Sequence, residues 1–354
     1  MNSQGAKKPL SQRTAKRDRW ILFILLVSLL LPTFALAEQN VILLTLDGVR
    51  WQEFFYGIDR QNNNGVGGDT FPLFWKNYAT ESLVLGDFPK QIRMYTSNAT
   101  QLSLPAYQSI MAGSDQGCWT NICGRIGVET VAERIKKQLH LSKKEVAVIS
   151  SWERIANAAE HIEGSVFVNA GQQYLFDDIG VSELIDINRR QEKDPPSEWG
   201  SARLDKYTWM QAMRYLKYHR PRFFWISLND ADEWGHNGNY RNYVSALRQY
   251  DVWINELFVK LDSMREYGKD TTVIIVTDHG RGDGTSWGSH GPLYPESQYI
   301  WMVVRNAFTR ETRNIQGHDG YHHSDIRPSI EKLLNLVPTN CPTCGSFVRE
   351  IFAH

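Results

Sequence analysis

The chain has 354 residues, 42% hydrophobic and 22% charged, which is enough apolar material to bury a sizeable core in the ordinary globular range. Its formal net charge of zero is unevenly spread: residues 1–19 carry Lys7, Lys8, Arg13, Lys16, Arg17 and Arg19 against Asp18 alone, so the rest of the chain is mildly acidic. An acidic body lacks the basic face that general nucleic-acid binding requires, and no nucleic-acid partner is expected.

The basic segment leads into "WILFILLVSLLLPTFALA", residues 20–37, which carries no charge and ends in Ala35-Leu36-Ala37. Basic, then apolar, then small is the order of a secretory signal peptide, most simply cut after Ala37. An uncleaved anchor is the alternative, because the run is near the lower limit for spanning a bilayer. Either way the body, residues 38–354, is expected in an exported compartment, periplasmic or secreted. It would touch a membrane only through the N-terminal segment, if that segment is uncleaved.

A strand at 41–46 runs straight into Asp47-Gly48. The stretch "TSNATQLSLPAYQSIMAG", residues 96–113, then reads as the start of a helix over 103–112, with Ser103 as N-cap and Pro105 in the first turn. A helix N-terminus also suits a bound phosphate or sulfate, because free N–H groups and the dipole favour an anion. Cys118 and Cys123 follow, and Cys341 and Cys344 lie far downstream, so two local disulfides are expected in an oxidising compartment. A helix at 129–140 and strands at 145–149 and 165–169 lead to residues 171–204, which are polar, contain Pro195-Pro196 and read as a surface excursion or small cap over the site.

After a helix at 205–219, the strand 223–228 runs into Asn229-Asp230-Ala231-Asp232 and then Gly235-His236. A helix at 240–264 has apolar residues at three- and four-residue spacing. The strand 271–277 runs into Asp278-His279, with His290 in a glycine-rich loop beyond, and a strand at 299–304 and a helix at 325–335 complete the pattern. Alternating strands and helices predict an α/β fold, a three-layer α/β/α sandwich with a largely parallel central sheet.

Ligand sites in open α/β sheets lie outside the carboxyl ends of the strands. If the three strands ending in Asp47, Asp232 and Asp278 are parallel neighbours, their carboxylates converge and would repel one another without a cation. Three Asp and three His, with no thiolate, suit zinc better than manganese or iron. An acid after a strand is usually a turn former or cap, so the argument rests on the three occurring together.

The order of a strand ending in Asp, a Ser or Thr at a helix start before Pro, D-x-x-G-H, D-H-G and a late His resembles the alkaline phosphatase superfamily over nearly all of residues 41–336. "LNDADEWGHNGNYRNYVSALRQYD" resembles its nucleotide pyrophosphatase/phosphodiesterase branch, and "TDHGRGDGTSWGSHGPLYPESQ" its sulfatase-like and phosphoethanolamine-transferase branches. The resemblance implies an alkaline phosphatase-like fold holding two divalent metal ions, Zn2+ by the donor set. Asp232, His236 and His290 would hold one ion, and Asp47, Asp278 and His279 the other. It further implies phosphomonoesterase or phosphodiesterase chemistry through a covalent phosphoseryl or phosphothreonyl intermediate.

The nucleophile stays open between Ser103, two residues before the proline, and Thr100, five before it. Where phosphodiesterases carry Asn after that proline, this chain has Ala106, and Asn98 is a substitute; Tyr107 stands where a sulfatase needs Arg, which argues against sulfatase activity. Asn98 and Arg281 are the candidate substrate contacts, with Arg50 and Arg93 behind them and a surface position the default for each arginine. His318, His322 and His323 could replace His290 but read better as a polar loop before a helix capped by Ser324 or Asp325. An envelope phosphotransferase of the phosphoethanolamine type and a non-catalytic phospho-ligand binder are the competing readings.

Overall fold

The computed structural model describes Met1 and residues 39–194, 200–306 and 320–352; the signal-peptide or anchor segment, Pro195-Pro196 and His318 lie outside the described residues. Within the unit Gln39–His354, a seven-stranded sheet has the order β2-β8-β7-β1-β6-β4-β5. Its strands are β1 (Asn40–Leu46), β2 (Leu83–Leu85), β4 (Val146–Ser150), β5 (Phe167–Ala170), β6 (Phe223–Leu228), β7 (Thr271–Thr277) and β8 (Met302–Arg305). A second, two-stranded sheet pairs β3 (Met94–Tyr95) with β9 (Tyr321–His322). The pairings of β1 with β6 and β7, and of β4 with β5 and β6, are parallel, while β8 runs antiparallel to β7 and β2.

The central strands are near-continuous apolar runs because both faces are covered. On β1, Ile42, Leu44 and Leu46 join one core cluster and Val41 and Leu43 the other, which is the two-residue alternation of a pleated strand. Full burial of such a side chain stabilises by about 1.5–3 kcal/mol, so the alternation fixes the strand's face strongly. The helices include α1 (Trp51–Tyr56), α2 (Ser103–Ala112), α3 (Val131–Gln138), α4 (Val181–Lys193), α5 (Asp205–His219), α6 (Asp230–His236), α7 (Tyr240–Ser263) and α8 (Ile326–Leu333). On α7, Tyr243, Leu247, Tyr250, Ile254, Leu257 and Leu261 form one buried stripe.

One expectation changes. The strand expected at 299–304 begins only at Met302, because residues 295–298 form a 3-10 turn, and it is the antiparallel neighbour of β7. The excursion 171–204 contains α4, whose Leu184 and Ile187 are buried, and Arg214 of α5 donates to Ile179 O. It follows β5, the sheet's far edge, whereas the carboxylates gather at β7-β1-β6.

Candidate active site

Register places the acids. Leu46 of β1 is level with Leu228 of β6 and with Thr277 of β7, so Asp47, Asn229 and Asp278 follow at the same edge. One turn into α6, Asp232 joins them, and His236, four residues on, shares its helix face. Gly48 is required there: its φ is +63°, and a Cβ would run into the Asp232 carboxylate and the Arg281 guanidinium.

Ser103 heads α2, but not as its cap. Leu102 is the N-cap, and the Ser103 hydroxyl instead lies 3.4 Å from Asp47 Oδ1 and 3.2 Å from His279 Nε2. Thr100 accepts from Asn98 Nδ2 at 3.4 Å, so of the two candidate hydroxyls Ser103 is the one against this cluster. Asn98 is buried and its Oδ1 has no partner. Tyr107, four residues after Ser103 and therefore on the same helix face, donates to Asp47 Oδ2 at 2.9 Å. That spacing was the signal by which Tyr107 could have been found.

The histidines are fixed by backbone carbonyls. His279 Nδ1 lies 2.9 Å from Gly280 O and His290 Nδ1 lies 2.9 Å from Gln101 O. A carbonyl only accepts, so each Nδ1 donates and each Nε2 presents a lone pair, which is the usual arrangement of a metal-binding imidazole. The two rings stack with centroids 3.7 Å apart. His279 Nε2 faces Asp278 Oδ2 at 3.3 Å, and that oxygen is buried without a hydrogen-bond donor. His290 Nε2 faces His236 Nε2 at 3.2 Å, and His236 Nε2 is 3.0 Å from Asp232 Oδ2. A lone pair of His279 Nε2 facing an orphaned buried carboxylate oxygen fits a cation.

Two groups have donor atoms all within 4.8 Å of one another: Asp232, His236 and His290, and Asp47, Asp232 and His279. The first is the expected triad. In the second, Asp232 takes the place expected for Asp278, so one carboxylate belongs to both groups. Asp278 stands at the edge, its Oδ1 accepting the N–H groups of Gly48 and His279 at 2.9 Å each.

The charge balance follows from burial. Burial, then the charges of Asp278 and Asp232, push the Asp47 carboxyl well above the usual range. Burial, then Asp232, pushes Asp278 up to about 7. Burial would also raise Asp232, but the Arg281 guanidinium and then His236 more than offset it and hold it well below. Burial depresses His279, and His290 to about 4.

Arg281, expected at the substrate, is instead fully buried behind the cluster. Its guanidinium donates to the Asp232 carboxylate, to Asp232 O at 2.8 Å, to Gly48 O at 3.2 Å and to Gly288 O at 2.5 Å. With its donors spent on protein acceptors, it braces Asp232 and the two loops. Arg50 is likewise buried, bonded to Glu53 and Gly282 O, because α1 begins immediately after it and turns it inward. Asp230 turns away and accepts from Asp205 N at 3.0 Å. His323 is buried with Nε2 2.9 Å from Thr277 O, His322 stacks on Tyr95, and Asp325 holds the N-cap position of α8 without a side-chain cap, its carboxylate accepting instead from His322 N at 2.8 Å and Ser346 N at 2.9 Å. Both expected disulfides, Cys118–Cys123 and Cys341–Cys344, are formed. Among the described residues, no helix is long and apolar enough to cross a membrane.

Residues 203–292 match the family described as the metalloenzyme superfamily. No curated protein sequence matches the chain. Among solved structures, a 2-O GAG sulfatase superposes with a TM-score of 0.59 at 12% identity, over 90% of this chain and 75% of its own. The phosphonate monoester hydrolase of Agrobacterium radiobacter gives 0.56 at 13% identity, over 89% and 78%. An alkaline phosphatase superfamily protein from Vibrio parahaemolyticus gives 0.53 at 14% identity, over 87% and 69%. The matched segment runs through Asp232, His236, Asp278, His279 and His290, and along most of its length the chain shares its fold with sulfatase, phosphonate monoester hydrolase and alkaline phosphatase superfamily structures.

Proposed function

We propose that the protein is an exported, two-metal phosphate-ester hydrolase in which Ser103 is the nucleophile. The observation that carries this reading is the Ser103 hydroxyl lying 3.2 Å from His279 Nε2 and 3.4 Å from Asp47 Oδ1, at the edge of two groups of metal-ligating side chains. Asp232, His236 and His290 would hold one divalent ion; Asp47 and His279, with Asp278 and Asp232 at hand, would hold the other. Bound there, two zinc ions would supply the positive charge that eases ionisation of the hydroxyl and stabilises the leaving oxygen.

The chain's own residues do the rest. Asp47, fixed by Tyr107, and His279, fixed by Gly280 O, keep the Ser103 hydroxyl facing the candidate ligand cluster. As Oγ bonds phosphorus, it loses its proton and the ester P–O bond breaks, releasing the alcohol. Water then cleaves the phosphoseryl group, restoring the hydroxyl and freeing phosphate. Both disulfides suit an oxidising, exported setting.

The test uses purified residues 38–354 loaded with zinc, assayed on p-nitrophenyl phosphate, its bis ester and p-nitrophenyl sulfate. Turnover of a phosphate ester is expected, with Ser103→Ala lowering kcat at least about a thousandfold while retaining bound zinc by mass spectrometry. Turnover of the sulfate alone, or a Ser103→Ala variant as active as the parent, would overturn the reading.

A further inference from the structure

We infer that Asn121, carried by the Cys118–Cys123 loop, is a positioning residue for the Ser103 hydroxyl; this rests on Ser103 being the nucleophile. The first turn of α2 leaves the N–H groups of Ser103 and Leu104 without intrahelical acceptors. Pro105 has no N–H, and Ala106 N already donates to Leu102 O at 3.0 Å. The hydroxyl of Ser103 therefore has no local N–H to cap, although serine at a helix start ordinarily does so. It is free to face Asp47 and His279, but nothing within α2 holds it there.

Asn121 supplies the missing restraint. Its Oδ1 accepts Leu104 N–H at 3.0 Å, and that N–H belongs to the peptide joining Ser103 to Leu104. Holding that peptide plane sets the direction of the Ser103 Cα–Cβ bond. The side chain is thus fixed between two tethers, the Asp47–His279 pair at its tip and Asn121 at its root.

The loop has little packing of its own. Trp119 and Ile122 are 62% and 79% exposed, so the loop is anchored by buried Cys118, by the disulfide and by Gln108 Nε2 donating to Gly124 O at 3.0 Å. The disulfide restricts a loop that would otherwise be free to lift Asn121 off α2. Asn121 and the Cys118–Cys123 bond therefore act as one device.

The experiment compares Asn121→Ala, Asn121→Asp and Cys118→Ser/Cys123→Ser with the parent chain. Two readouts are taken: kcat and KM on the best p-nitrophenyl ester, and hydrogen exchange of peptides covering residues 102–112, with β7 as an internal control. Asn121→Ala is expected to lower kcat about tenfold to a hundredfold with KM within about twofold, and to speed exchange in the first turn of α2 while β7 is unchanged. The double serine variant should behave like it. Asn121→Asp keeps the acceptor and should restore kcat, while its added charge raises KM for an anionic ester. Parent-like kcat in Asn121→Ala, or no recovery of kcat in Asn121→Asp, overturns the inference. If the parent turns over no phosphate ester, the proposed function fails by itself; exchange then decides, and unchanged exchange at 102–112 in Asn121→Ala overturns the positioning role.

Discussion

Arg281→Met takes a buried guanidinium away from Asp232. The arginine side chain is fully buried and that of Asp232 is 8% exposed, so neither charge has water to turn to. Methionine fills much of the same stem volume and removes every donor, so the loss is one of pairing more than of packing. What remains is a carboxylate facing Asp47 and Asp278, with the Gly48 and Gly288 carbonyls short of their donors. Removing one partner of a buried pair costs about 3–5 kcal/mol. In a chain of this size each kcal/mol moves the melting point by about 2 °C, which predicts a fall of about 6–10 °C. The assay is thermal unfolding followed by circular dichroism, near neutral pH with EDTA present. With zinc added the fall should shrink, because a bound cation also neutralises Asp232. A metal-free variant that melts within about 2 °C of the parent would refute the argument, since Asp232 would then not depend on Arg281.

Two further outcomes follow from the same cluster and its surroundings. Tyr107→Phe removes the donor to Asp47 Oδ2 without changing the ring, so zinc affinity measured by chelator competition should fall about tenfold to a hundredfold, with the melting point nearly unchanged. His323 is buried and held neutral, its imidazole depressed to about 4 by burial. The unfolded chain takes up a proton at this position near pH 6.5 and the folded chain only near 4, so stability should drain away as pH falls between those values. His323→Gln keeps a donor toward Thr277 O and cannot titrate. Urea unfolding across that window should therefore show the parent losing up to roughly 3 kcal/mol more than the variant, and parallel curves would refute the assignment.

Much of the site was legible because its signals are local. An apolar run followed at once by an acid, as at Asp47 and Asp278, marks a buried strand delivering a carboxylate to its end, and the four-residue step from Asp232 to His236 marks one helix face. The disulfides were legible too, since each pair is close in sequence. What the chain's order could not reveal is which strands are neighbours. Only the register of β1 with β6 and β7 brings Asp47 and Asp278 level, with Asp232 one turn beyond the end of β6. The antiparallel β8 has the same apolar pattern as a parallel strand, because burial on both faces erases the difference.

The sequence by itself therefore determined the α/β class, the candidate ligand types and the strand ends that carry them, since these follow from burial period and nearest-neighbour chemistry. The tertiary structure alone decided which groups face one another. It turned Arg281 inward onto Asp232, gave Asp232 to both ligand groups, set Tyr107 on Asp47 and brought Asn121 to the root of Ser103. The reason is physical: a side chain's charge state and hydrogen bonds depend on what packs against it, and in this fold those neighbours come from segments far apart in the chain.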